Sequence, residues 1–303
     1  MSQLSRTLLS ILGALLICTS PVLAQFDDGV DALRTGDYAK AMEAWQTAAA
    51  AGDARAQYSI GYLYQFGLGV PGDIVKAKYW YEKAAASNNI DALYALGLLY
   101  ESGKAGRRDL AEAMTYYRKA AAGNLPDAEY AIGRMTLRGR GVPRDPVEAV
   151  KWLKKAADHH HPAAEYMLGA AYEAGWGVRP DRAEAYYWYR RAQEGDVVEL
   201  EEQDMAFQPK IAIESLRRQL PRYTIDEVEA RLRREAASVK AAARAAAKAP
   251  PKDAKDKPAG GTATAEKAAE GGSGPTPSPA PTPRPARPAD ADGLPKDALT
   301  AQP

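Results

Sequence analysis

Three consecutive histidines, His159-His160-His161, are the first residues to weigh for chemistry. Imidazole ligates metals and titrates near neutral pH. Adjacent side chains point in different directions, however, and helical zinc sites use an i, i+4 pair. The run precedes Pro162 and predicts a solvated turn, with no metal site. Cys18 is the only cysteine and lies in an N-terminal apolar stretch. Gly67-Leu-Gly69 and its copies have the look of nucleotide loops. Such a loop must follow a strand and open a helix, whereas here it follows a helical pattern. Glu199, Glu201 and Glu202 cluster in a charged, irregular stretch and read as solvated. No serine, histidine and acid combination stands out. The sequence therefore predicts no catalytic residue and no cofactor.

The elements that would position any site are repeats. Asp37, Asp73, Asp109, Asp145 and Asp181 recur at a spacing of 36 residues, each followed by a similar segment. In step with them run Ala56, Ala92, Ala128 and Ala164, then Tyr58, Tyr94, Tyr130 and Tyr166, then Gly61, Gly97, Gly133 and Gly169. A period of this size, held without insertion, means a solenoid. Each repeat holds two helices. Helix A runs roughly Ala54 to Phe66, with Ala56, Ile60 and Leu63 forming one apolar stripe. Helix B runs roughly Asp73 to Ser87, and its aspartate fits an N-cap. Glycines such as Gly67 and Gly69 end helix A and allow positive φ. The glycine inside helix A costs about 1 kcal/mol relative to alanine. Its recurrence predicts close backbone approach between packed helices.

These repeats resemble the SEL-one-like repeat family, a branch of the tetratricopeptide superfamily. The resemblance is carried by Ala56-Gln-Tyr-Ser-Ile-Gly-Tyr-Leu-Tyr64, Gly67-Leu-Gly-Val70 and Lys76-Ala-Lys-Tyr-Trp-Tyr-Glu-Lys-Ala-Ala85, with their copies from about Gly36 to Ala192. Gly106 departs from the loop valine in repeat 2, and Thr136 from the late tyrosine in repeat 3. The resemblance implies an all-α, right-handed α/α superhelical solenoid and an adaptor role. One member group, the cysteine-rich β-lactamase-like proteins, braces each repeat with a disulfide, which this chain cannot do.

The solenoid is expected over residues 25–195, a helical C-terminal cap over 196–248, and a disordered Pro/Ala-rich tail over 249–303. Thr224-Ile-Asp-Glu227 fits a capping box for the last cap helix. Residues 1–24 read as a signal peptide: Arg6, an apolar run from Leu8 to Ile17, and cleavage after Ala24. That predicts a periplasmic or secreted protein without stable membrane insertion. A net charge of +1 argues against nucleic-acid binding.

Positions that vary among the repeats are free for ligand work. On helix A they fall at Arg55, Ser59, Tyr62 and Phe66 and their copies, with steps of 4, 3 and 4 that share one face. By the resemblance this face is concave. The expected partner-binding residues are Tyr62, Phe66, Leu98, Arg134, Arg138 and Met167, with Trp176 a further anchor candidate. The expected partner is a protein; an envelope glycan is the alternative.

Overall fold

The computed structural model describes residues 20–194 and 208–248, with side chains from 25 to 194 and from 208 to 245. The apolar run of the expected signal peptide, the Glu199–Glu202 cluster and the tail 249–303 lie outside the described residues. Twelve helices and no strand occur among the described residues. They are α1 (Ser20–Arg34), α2 (Tyr38–Ala50), α3 (Ala54–Phe66), α4 (Ile74–Ala86), α5 (Ile90–Ser102), α6 (Leu110–Ala121), α7 (Pro126–Arg138), α8 (Pro146–Asp158), α9 (Pro162–Ala174), α10 (Arg182–Glu194), α11 (Pro209–Gln219) and α12 (Arg222–Lys248). From α1 to α10 they form five hairpins. Each helix packs most densely on its hairpin partner and next on the adjoining hairpin, which makes an α/α solenoid. None of the described helices is long and apolar enough to cross a membrane.

The chain punctuates these helices by backbone chemistry. Asp37, Asp73, Asp109, Asp145 and Asp181 each accept a backbone N–H from the first turn of a B helix, at 2.9 to 3.1 Å. Gly67, Gly103, Gly139 and Gly175 end the A helices with φ between 66° and 77°. At the B-to-A turn the left-handed position is held by Gly52, Asn88, Asn124 and His160. The middle histidine is thus in the register of two turn asparagines. The capping box expected at Thr224 does not form. The helix already starts at Arg222, and the Thr224 N–H donates to Pro221 O at 3.1 Å inside the first turn.

Layer packing explains the helix-A glycine, with one correction. The closest neighbour is a side chain rather than a backbone. A Cβ at Gly61 would lie 2.7 Å from the Tyr81 ring, and one at Gly133 would lie 2.8 Å from Leu153. Tyr117 and Tyr189 sit on Gly97 and Gly169 in the same way. Only a glycine leaves room for the B-helix side chain, a tyrosine ring in three repeats and Leu153 in the other, which fills the layer. Tyr81, Tyr117 and Leu153 are at most 1% exposed.

The helix that precedes the first capping aspartate, α1, is the A helix of a full first hairpin. Its loop, Thr35–Asp37, is four residues shorter than Gly67–Asp73. The glycine shifts by the same four positions, to Gly29, and receives Trp45 as Gly61 receives Tyr81.

Candidate partner-binding face

Variable positions on helix A take three different environments. Tyr62 and Phe66 are partly exposed, and their rings pair at 4.5 Å between centroids. Leu98, one repeat on, is 41% exposed, and Arg138 is exposed at the end of α7. Trp176, in the loop after α9, is 40% exposed. Of the other two expected residues, one is buried and one is held in an ion pair. Met167 is 8% exposed and joins the core around Leu168 and Tyr186. Its register mates Ser59, Ala95 and Ala131 are all partly or fully buried, so variation at this position tracks the gap between hairpins.

Arg134 is committed to an internal ion pair. Its guanidinium donates to both carboxylate oxygens of Glu101 at 2.7 Å, and Tyr117 donates to Glu101 at 2.8 Å. Glu101 is 9% exposed, and Arg140 stands 3.7 Å from it. A buried carboxylate needs such partners, since unpaired it would lose its hydration with nothing in return. Burial first, and then the neighbouring Glu101 charge, push the Tyr117 hydroxyl far above its ordinary range, so it stays a donor. The cluster is a structural tie between repeats 2 and 3.

The three histidines also serve the fold. His159 Nδ1 lies 3.2 Å from Glu129, Arg191 reaches His160 at 2.9 Å, and His161 accepts the Ala164 N–H to cap α9 while stacking on Tyr130. The rings address three separate partners.

A family profile described as Sel1 repeat matches residues 54–89, 90–125, 126–161 and 162–195. Among solved structures, a Sel1 repeat protein from Oxalobacter formigenes is 36% identical, over 55% of this chain and 70% of that one, with a TM-score of 0.52. The chain belongs to the Sel1 repeat family. A protective antigen of uropathogenic Escherichia coli with an SLR fold is 24% identical over 78% of this chain and 58% of its own, with a TM-score of 0.47. A putative Sel1 repeat protein from Klebsiella pneumoniae is 27% identical over 61% and 92%, with a TM-score of 0.42. No curated protein matches the chain by sequence. Sel1 repeat proteins typically mediate protein–protein interaction as scaffolds, and the family is generally non-catalytic.

Two features of these Sel1 repeats escape a reading by residue type alone. The first is a paired substitution. Tyr81, Tyr117 and Tyr189 donate to Gln65, Glu101 and Glu173, each 16 residues earlier, at 2.8 to 3.0 Å. In repeat 3 both members become leucine, Leu137 and Leu153. Changing both together avoids leaving a buried polar group unpaired. The second is a row of cation–aromatic pairs on the B helices. Lys83 lies over Trp80, Lys119 over Tyr116, Lys155 over Trp152 and Arg191 over Trp188, at 4.2 to 5.3 Å. Both were open to detection by comparing the repeats in register.

Proposed function

We propose that the chain is an exported scaffold, periplasmic or secreted, that binds a protein partner through the face lined by its A helices. The single observation that carries the reading is the partly exposed Tyr62–Phe66 ring pair, with the exposed Leu98 in the register of Tyr62 one repeat on, at helix-A positions where the repeats differ. Large, rigid aromatic side chains anchor interfaces at small entropic cost, and arginine is their usual companion. Arg138 supplies that companion on the same face. Arg134 positions Glu101 and takes no direct part.

Export is supported by the apolar N-terminal stretch. The N-terminal core begins among the described residues at Phe26, which is 5% exposed, so cleavage after Ala24 would leave it intact. N-terminal sequencing of the accumulated protein should read Gln25 first; a retained Met1 rejects export by cleavage.

The binding face is tested by a photo-crosslinker at position 66 in the native host, followed by mass spectrometry. One protein partner should be captured, and the combined Tyr62→Ala, Leu98→Ala and Arg138→Ala variant should lose it with unchanged circular dichroism. Capture that persists in the variant rejects the A-helix face.

A further inference from the structure

The A-to-B loops of repeats 1, 3 and 4 carry Gly69-Val70, Gly141-Val142 and Gly177-Val178. Each of these glycines has positive φ, and each sits against the start of the preceding B helix. A Cβ there would collide with Tyr38, with the Leu110 carbonyl or with the Pro146 carbonyl. The valine beside it packs onto the hydrophobic layer.

Repeat 2 has Ala105-Gly106 in this place. An alanine cannot occupy the glycine's position against the helix below. The loop takes its positive φ one residue later, 134° at Gly106, and no valine side chain closes the layer. A cleft of about 260 Å³ opens there, lined by Lys78, Leu99, Tyr100, Ala105, Arg107 and Asp109.

The chemistry of the lining is one-sided. Lys78 Nζ stands 4.7 Å over the Tyr100 ring, which stacks on Tyr116 at 5.5 Å. Lys78 also lies 3.7 Å from Glu82. Arg107 is exposed and forms no ion pair among the described residues. Asp109 spends its charge on the Ala111 and Glu112 N–H groups at 3.1 and 3.0 Å. Glu82 already offsets the Lys78 charge and Asp109 is held by the helix N-terminus, so Arg107 is the lining cation left for a single negative charge. A doubly charged phosphate would face Asp109. Leu99 and Ala105 add an apolar wall. We propose that this cleft recognises a carboxylate group carried by a peptide, as a chain terminus or an acidic side chain. The site does not rest on the A-helix reading above.

The test is a titration of the full chain, followed by amide NMR, with three probes: N-acetyl-leucine, N-acetylglutamic acid α-amide and neutral N-acetylglutamine amide. A carboxylate probe should shift the amides of residues 105–109 saturably, with the neutral probe at least about tenfold weaker. The tighter of the two carboxylates identifies the source. Arg107→Gln should weaken binding by about tenfold. The double variant Ala105→Gly, Gly106→Val restores the loop pair of the other repeats and should abolish binding while preserving circular dichroism. Equal binding of the neutral probe, retained binding in the double variant, or no saturable shift at about 10 mM would each overturn the proposal.

Discussion

The two ends of the described helical array meet the same requirement by different physics. A stack of repeats leaves one open face at each end, and each must be covered. At the N-terminal end α1 covers α2 with apolar contacts. Trp45 is 2% exposed, sits on Gly29, stacks with Phe26 at 6.3 Å and donates its indole N–H to Phe26 O at 3.2 Å. At the C-terminal end five consecutive residues of α10, Ala185 to Tyr189, are buried, because α11 and α12 pack on the helix. Ile213, Leu216, Val228 and Leu232 supply the apolar part of that joint. The remainder is polar. Glu229 accepts from Tyr186 at 2.7 Å and from Arg190 at 2.8 Å. Arg231 reaches Glu184 at 2.7 Å and lies 3.7 Å over the Tyr187 ring. One end is held mainly by dispersion and exclusion of water, the other by a charged network on an apolar base.

The largest effect that separates the ends is expected from Trp45→Ala. It removes the ring that fills the first layer and should cost about 3–5 kcal/mol by urea unfolding. The loss should hardly change between low and high salt. A strongly salt-dependent loss would mean the N-terminal end is not the apolar joint described. Next comes Glu229→Gln, which weakens the bonds from Tyr186 and Arg190. A cost of about 1–3 kcal/mol is expected, shrinking as salt is added. A loss indifferent to salt would erase the contrast between the ends.

The contrast also shows what a sequence discloses. The 36-residue register revealed the A and B helices: α3 has the expected limits, Ala54 and Phe66, and α4 lies one residue inside the expected Asp73 and Ser87, which cap it. Capping aspartates were legible because a cap is a local interaction within three residues. The C-terminal network was not. Tyr186 and Glu229 are 43 residues apart, across a break in the period, and no pattern links them. Met167 is buried, and Arg134, though partly exposed, is tied to Glu101; both went unread for a related reason. Variation among repeats marks where neighbours differ, and a buried gap or a buried glutamate makes neighbours differ as well as a ligand does. Repeat 2 held the clearest unread signal: the Ala105-Gly106 pair stood out in the register, but its consequence depended on how closely the loop approaches α4.

A third, subtler difference is in pH response. Glu165, 3% exposed, is ion-paired to Arg191 at 2.7 Å and joins α9 to α10. Burial raises its pKa to about 7, against the pull of Arg191. Between the ordinary glutamate value of 4.5 and about 7 the unfolded chain loses this proton while the folded chain keeps it. Stability contributed at this site therefore falls as pH rises through that window and levels off above it. The stability difference between wild type and Glu165→Gln should show that slope in urea unfolding from pH 4 to 8; parallel curves would remove Glu165 as its source. Asp53, near the other end, behaves oppositely. Burial works to raise its pKa, but the hydrogen bonds from Arg55 outweigh it and hold the carboxyl below its usual value of 3.8. That contribution is present above the usual value and is lost as pH falls further.

The smallest expected effect tests whether charge matters at all to the apolar end. Arg55 lies 4.1 Å over the Phe26 ring and pairs with Asp53 at 2.7 Å. Its side chain is 37% exposed, so water screens both interactions. Arg55→Met keeps much of the stem that covers Phe26 and removes the charge. A cost of about 0.5–1 kcal/mol is expected. It should be smaller than that of Glu229→Gln, because the methionine still shields the ring while the glutamine leaves two donors with a weaker acceptor. If Arg55→Met proves the more damaging of the two, the N-terminal end depends on its cation, and the division into an apolar and a charged end fails.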